Sequence, residues 1–233
     1  MQKLLKKPYM QCGSLVKFHP DASTVLWLPG QNDAYSSVIR DFSGNANHGT
    51  ITGALWTRNS KGLWELSFDG TDDVVTVTSH ASLQPANITV MAWVNPTTLA
   101  AAWIDEVISC EAAGFTGWGL RFSSTKSSFY IEDGASAPEK QGNVCTAGKW
   151  IHLTGVYDGS AVYLYENGAS VGAGTAAAGP IAYAATNVQI GKNPADATRI
   201  LTGKVALVRI FNRALTTTEI AQHYAQERSL FGV

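Results

Sequence analysis

The segment 149–172, KWIHLTGVYDGSAVYLYENGASVG, decides the fold. WIHLTGVY (150–157) and AVYLYEN (161–167) are dense in β-branched and aromatic residues, the side chains that fit a pleated, half-buried surface. Asp158-Gly159 and Asn167-Gly168 punctuate them. Both dipeptides favour two-residue hairpin loops, whose central residues need positive φ. The spacing therefore predicts three consecutive antiparallel strands, a meander that closes on itself without help from a helix.

Strand signals extend in both directions from the meander. Upstream stand TVLWL (24–28), LWELSF (63–68), VVTVTS (74–79), ITVMAWV (88–94), WIDEVISC (103–110), GWGLRFS (117–123) and SSFYIED (127–133). Downstream stand NVQIGK (187–192) and GKVALVRIFN (203–212). In ITVMAWV, Ile88, Val90, Ala92 and Val94 share one face, and Thr89, Met91 and Trp93 share the other. Both faces are largely apolar, which places this strand between two packed layers. One helix is expected: Thr216 followed by Glu219 is a capping-box spacing ahead of Ile220, Ala221 and Tyr224, a stripe suited to the edge of a sheet. The small-residue stretch 172–186 reads as a surface loop, and residues 1–22 read as an N-terminal arm. The expected fold class is all-β: an antiparallel β-sandwich, residues 23–233, with one short C-terminal helix.

Composition narrows the function classes. The 233 residues are 45% hydrophobic and carry seven Trp, ample for a large core. Net charge is −1, so the electrostatic footprint of nucleic-acid binding is missing. The only basic cluster, Lys3, Lys6 and Lys7, reads as a solvated tail. No apolar run is long enough to insert in a membrane, and Lys6, Lys7 and Pro8 interrupt what would begin as a signal peptide. Three cysteines are an odd count, which points to free thiols, with a Cys110–Cys145 bridge as the alternative.

Catalytic signatures are lacking. There is no G-x-S-x-G, H-E-x-x-H or C-x-x-C, and the five histidines are scattered. His152 lies between Ile151 and Leu153 and reads as packed. Glycoside hydrolysis needs two carboxyl groups facing each other across the scissile bond. Asp105 and Glu106 are neighbours and point to opposite faces of a strand. Glu111 returns to the face of Asp105, but six residues at roughly 3.3 Å per residue put it too far away. Glu132 and Asp133 are adjacent in the same way. A hydrolase therefore requires acids from separate strands to converge. Sugar binding asks for less: aromatic rings under C–H faces, and amides or carboxylates on hydroxyls. The candidates are Asn32, Asp33 and Tyr35 in QNDAYSS; Trp103, Asp105 and Trp118; Tyr130 and Asp133; and Asn193 and Asp196 in KNPADAT. Loops carry function more often than sheets, which favours QNDAYSS and KNPADAT. Core positions are the alternative for Trp103 and Trp118. DFSGNANHGT (41–50) reads either as a cation loop with Asp41 as a ligand, or as a turn in which Asp41 and Ser43 bond backbone N–H groups.

Five segments in order resemble the laminin-G-like domains of the concanavalin A-like lectin and glucanase superfamily. They are DFSGNANHGTITGALW with LSFDGTDDVVTV, then ITVMAWVNPTT, the meander, VQIGKN, and GKVALVRIFNRALTTTEIAQHY. The resemblance covers about residues 23–226 and implies a jelly roll of two curved antiparallel sheets, one of them concave. It also implies a structural calcium held near SGN with an acid in the last strand. Ala206 and Leu207 stand where that acid is expected, which weakens the site and leaves Asp41 as its remaining candidate. The function expected from the resemblance is a non-catalytic recognition or structural module that binds surface glycans. The family works outside cells and the chain shows no export signal, so the expected setting is a virion, as capsid decoration or tail. Residues 1–22 would dock it to other subunits of the assembly. A secreted or cell-surface carbohydrate-binding module is the rival expectation, and a glycan hydrolase the third.

Overall fold

Both faces of the strand Ile88–Pro96 are apolar because both are covered. Val90, Ala92 and Val94 enter the core between two sheets, while Met91 and Trp93 meet a third layer outside. The protein, described here by a computed structural model over residues 16–99 and 104–233, has these strands in chain order. They are β1 Thr24–Leu28, β2 Val38–Ile39, β3 Gly49–Thr52, β4 Leu55–Arg58, β5 Trp64–Asp69, β6 Val74–Val77 and β7 Ile88–Pro96. There follow β8 Ile104–Ala112, β9 Thr116–Ser123, β10 Lys126–Asp133, β11 Glu139–Val144, β12 Ile151–Tyr157 and β13 Ala161–Glu166. The last are β14 Ala169–Ser170, β15 Thr175–Ala176, β16 Val188–Ile190 and β17 Thr202–Phe211, before the helix α1 Thr217–Phe231.

Sheet A runs β14-β13-β12-β7-β17-β5-β4, with β1 beside β17 and β15 beside β13. Sheet B runs β11-β10-β9-β8-β16-β6-β3-β2. All pairings are antiparallel, as the sandwich reading requires. The meander forms β12-β13-β14. Its second turn is the expected one, with Asn167 at φ 51° and Gly168 at φ 77°. Its first is shifted by one residue. Tyr157 pairs with Val162, so Gly159-Ser160 is the central pair; Asp158 takes the N–H groups of Ser160 and Ala161 on its carboxylate instead.

Two expectations change. The stretch 172–186 is not merely a surface loop: Ala177 and Ile181 are buried, and the Tyr157 hydroxyl donates to the Gly179 carbonyl. Small residues permit this close approach, since a Cβ at Gly174 would lie 2.6 Å from the Tyr163 ring. Helix α1 lies across the outer face of sheet A, not along an edge. Phe231 stacks on Trp93 at 4.1 Å, and Ile220 packs with Met91, Val156 and Phe211. The last residues of the expected arm join the same layer, where Val16 is buried and Phe18 meets Trp27 and Phe211 edge-on. His152 sits in this layer, fully buried against Trp93. Burial, then Arg209 and His223, push its pKa down to about 3, so it stays neutral.

The helix starts as its sequence says. Thr216 accepts from the Glu219 N–H and Glu219 reaches back to the Thr216 N–H, while Gly232 closes the other end at φ 73°. Thr216→Ala should therefore cost about 1 kcal/mol, read as a lower urea midpoint at unchanged slope. Cys110 and Cys145 are free thiols, Cys110 facing the core. Among the described residues no helix is long and apolar enough to cross a membrane.

Candidate functional site

With α1 and Phe18 over sheet A, the outer face of sheet B is the other broad surface on which groups can converge. Alternation assigns that face. Trp118, Leu120 and Phe122 of β9 and Phe129 and Ile131 of β10 enter the core. Gly117, Gly119 and Arg121, and Ser128, Tyr130 and Glu132, therefore turn outward. On β8 the register slips between Glu106 and Ile108, so Val107 is an extra residue. The slip moves Glu106 onto the face of Ser109 and Glu111. Straight alternation had put it on the opposite face from them.

Three rows result. Glu106, Arg121 and Ser128 form the first; Gln189, Ser109, Gly119 and Tyr130 the second; Glu111, Gly117 and Glu132 the third. Gly119 is required, because a Cβ there would lie 2.4 Å from the Tyr130 hydroxyl and 2.5 Å from Glu106 Oε1. The segment 192–200 folds across this face, its ends held by a bridge between Lys192 and Ile200. Asn193, only 1% exposed, donates one Nδ2 to Glu106 Oε2 at 3.2 Å and to Glu111 Oε2 at 2.8 Å. The Tyr130 hydroxyl also donates to Glu111 Oε2. The Arg121 guanidinium lies 4.1 Å from the Tyr130 ring centroid and pairs with Glu139 at 3.0 Å. Arg199 approaches Glu111 at 3.5 Å and Asp196 at 3.2 Å.

Burial dominates the electrostatics. Desolvation raises Glu106 to about 7 against the pull of Arg121 and Asn193, with Glu111 adding to the rise. Desolvation, then Glu111, raises Glu132 to about 7 against Arg199 and Arg121. Glu106 Oε1, Ser109 Oγ, Glu132 Oε2 and Gln189 Oε1 are buried with no hydrogen-bond partner.

A second surface lies at the QNDAYSS loop. Tyr35 is 85% exposed at φ 66°, a left-handed conformation uncommon for an aromatic residue. Its ring meets Trp64 edge-on at 5.3 Å, and Arg58 covers Trp64 at 4.2 Å. Nearby, the buried Asp33 carboxylate holds Arg40 at 2.5 Å, and Arg40 also donates to the Asn32 carbonyl at 2.9 Å. Gln31 clamps the loop by bonding both the N–H and the carbonyl of Trp64.

The structure thus gathers Tyr130, Asn193 and Asp196 on sheet B, and Asn32, Asp33 and Tyr35 at the other corner. Asp133 stands at the end of β10, with its carboxylate engaged by Ala135 and Ser136 in a turn. Two candidates need correction. Trp118 is wholly inside the core and offers no face to a ligand. Asp105 pairs opposite Phe122 on the inner side, where burial raises it to about 6 against a bond from the Thr202 backbone. Trp103 lies outside the described residues.

Asp41 also changes role. Its Oδ1 accepts from the N–H groups of Trp27 and Ser43, and its Oδ2 from the Ser43 hydroxyl and the Asn47 N–H. A calcium ion would have to strip four donors, and Ala206 and Leu207 are packed in the apolar layer beneath α1. The residues do not fit the ion, and the turn-wrapping reading describes them. A different acidic turn, Asp69, Asp72 and Asp73, brings carboxylate oxygens within 4.8 Å of one another.

Sequence reasoning missed Glu106, Glu111, Arg121, Glu132 and Arg199 as a group, and Trp64 beside Tyr35. The alternation in GWGLRFS and SSFYIED marked the outward residues of β9 and β10, but nothing marked the bulge at Val107.

A family model described as the concanavalin A-like lectin/glucanases superfamily matches residues 69–221. No curated protein matches the chain. Among solved structures, the binding domain of Paraclostridial Mosquitocidal Protein 1 is similar at TM-score 0.72 and 14% identity, over 87% of this chain and 52% of that one. The chain thus spans about half the length of that domain. Domain 4 of AbnA, a GH43 extracellular arabinanase from Geobacillus stearothermophilus in complex with arabinotriose, is similar at TM-score 0.70 and 18% identity, over 87% and 98%. A Trypanosoma rangeli sialidase is similar at TM-score 0.68 and 18% identity, over 92% of this chain and 34% of the enzyme. At these identities the likeness shows the fold.

Proposed function

This chain belongs to the concanavalin A-like lectin/glucanases superfamily, and from that premise we propose that it is a non-catalytic module that recognises carbohydrate through Tyr35 and Trp64. One observation carries the reading: a large aromatic side chain, 85% exposed, is held out by a left-handed backbone. Such a conformation costs on the order of 1–3 kcal/mol and persists where the surroundings enforce it. A sugar ring packs its C–H face on an exposed aromatic, and Asn32, Arg40 and Arg58 stand close enough to meet its hydroxyls. The arabinanase domain, solved with arabinotriose, is a carbohydrate-binding relative in fold.

Burial argues against hydrolysis between Glu106 and Glu111. Glu106 and Glu111 bond the same Asn193 nitrogen, and Glu106 is wholly buried, so no glycosidic bond can lie between them. We infer further that the module works outside the cell as part of an assembly, a virion being the expected case. Val16 and Phe18 anchor the end of segment 1–22 to the sandwich, which suits that segment to tethering. Removing residues 1–15 should then abolish incorporation into particles, and unchanged incorporation would refute the tether.

For the glycan reading, an oligosaccharide array that includes arabinan fragments should give binding. Tyr35→Ala should weaken that binding at least about tenfold, the worth of one aromatic stack, while leaving the melting temperature unchanged. An array without hits, or a variant that binds like the parent, overturns it.

A further inference from the structure

We propose that the outer face of sheet B seats the free amine of an amino sugar over Gly117, between Glu111 and Glu132. Gly117 pairs with both residues and puts no side chain between them. Their Cα atoms are two strand spacings apart, roughly 9.6 Å, which leaves room for one cationic group between two carboxylates.

Three independent features point to a cation that donates hydrogen bonds. First, Glu132 is 7% exposed, yet its buried Oε2 has no partner. Ser109 Oγ, Glu106 Oε1 and Gln189 Oε1 on the same face are also unpartnered, and all but the serine hydroxyl are oxygens of acceptor groups. Second, the nearby cations are already shared. Arg121 pairs with Glu139 and Arg199 with Asp196, so neither guanidinium is devoted to Glu106, Glu111 or Glu132. Third, the cation now nearest Glu111 is loosely held. Arg199 keeps 27% of its side chain exposed and reaches Glu111 only at 3.5 Å, while Asp196 already holds it at 3.2 Å. An incoming ammonium can take its place at Glu111 and leave Arg199 paired with Asp196.

The walls decide the class of ligand. A lysyl side chain would need apolar sides for its methylene stem. Asn193 and Arg199, the polar groups that reach Glu111, suit a ring carrying hydroxyls beside its amine. Calcium fits poorly, because the Arg199 guanidinium stands at Glu111 and the two carboxylates beside Gly117 fall short of the six to eight oxygens the ion needs. This site is separate from the Tyr35 platform and does not depend on it.

Calorimetry should test a glucosamine trimer, its N-acetylated counterpart, a lysine tripeptide and calcium chloride on the full chain. The glucosamine trimer should bind, and the N-acetylated trimer should bind at least tenfold more weakly. Glu132→Gln should lose at least tenfold, and Arg199→Gln should gain severalfold because the competing cation is gone. Melting curves of both variants confirm folding; should Glu132→Gln unfold, the gain in Arg199→Gln carries the test. The proposal is overturned if the glucosamine trimer binds neither the parent nor Arg199→Gln, if acetylation or Glu132→Gln changes nothing, or if Arg199→Gln weakens binding. It is equally overturned if the lysine tripeptide or calcium binds in preference. Tyr35→Ala should leave glucosamine binding intact while weakening neutral-glycan binding at least about tenfold, so failure of either site can be told from failure of the other.

Discussion

Glu227→Ala is expected to destabilise the protein by about 3–5 kcal/mol, the usual cost of breaking a buried ion pair from one side. Glu227 is 3% exposed and Arg209 is fully buried on the outer face of sheet A, beneath α1. Arg209 donates to both carboxylate oxygens of Glu227, and Trp93 Nε1 donates to one of them at 2.8 Å. The guanidinium is enclosed by Trp27 at 4.0 Å and Phe18 at 4.3 Å. Removing the carboxylate leaves a desolvated cation and an indole N–H without an acceptor. The charge is the costly part, so the double change Arg209→Met with Glu227→Leu should recover most of the loss, since apolar replacement of a whole buried pair is often neutral or better. Urea unfolding of the three proteins decides it. If the double variant is as unstable as Glu227→Ala, packing of α1 and not the orphaned charge is responsible.

Glu106→Gln is expected to stabilise the protein at alkaline pH and to do little under acid. The sign follows from the raised pKa. Between the unfolded value near 4.5 and the folded value of about 7, the folded chain keeps a proton that the unfolded chain releases. Stability from this group is therefore complete below pH 4.5 and is lost as pH rises through 7. Glutamine mimics the protonated acid and can still accept from Asn193, so it escapes the loss. At about 1.36 kcal/mol per pKa unit, the advantage over the parent reaches at most roughly 3 kcal/mol above pH 8. Urea midpoints at pH 4.5 and pH 8 measure it, and an advantage equal at both values would show that ionisation of Glu106 is not the cause. The amine of a bound amino sugar should shrink the same advantage, because it would stabilise the ionised cluster.

Much of the sandwich was legible because β-structure writes its two faces into alternate residues. Val90, Ala92 and Val94 against Met91 and Trp93 announced a strand with a layer on each side, and Asn167-Gly168 announced a hairpin whose left-handed residues the structure contains. Thr216 and Glu219 named the start of the helix. The helix's partner was not legible. Ile220, Ala221 and Tyr224 define a stripe, but a stripe does not say whether it meets an edge or a face; the outward Met91 and Trp93 of β7 and Phe211 of β17 had to be assembled first. Asp41 could be read as ligand or as turn, and the four donors that surround it come from positions 27, 43 and 47, which only folding gathers.

The two surfaces divide in the same way. Tyr35 could be picked out from the sequence because a loop aromatic among polar residues has few reasons to be buried, although Trp64 joins it from 29 residues downstream. The acidic face of sheet B could not, because it depends on one extra residue. By alternation alone Glu106 and Glu111 lie on opposite faces. The bulge at Val107 reverses the parity of everything before it, and β9 and β10 then deliver Arg121, Tyr130 and Glu132 to the same side. The sequence by itself determined most of the strands and their order along the chain, because these rest on local periodicity, and its five ordered motifs marked the family; β2, β3, β4, β11 and β15, short or polar, were not legible. The tertiary structure alone decided which acids meet and which cation faces them, because strand register and a single bulge are set by packing across the sheet.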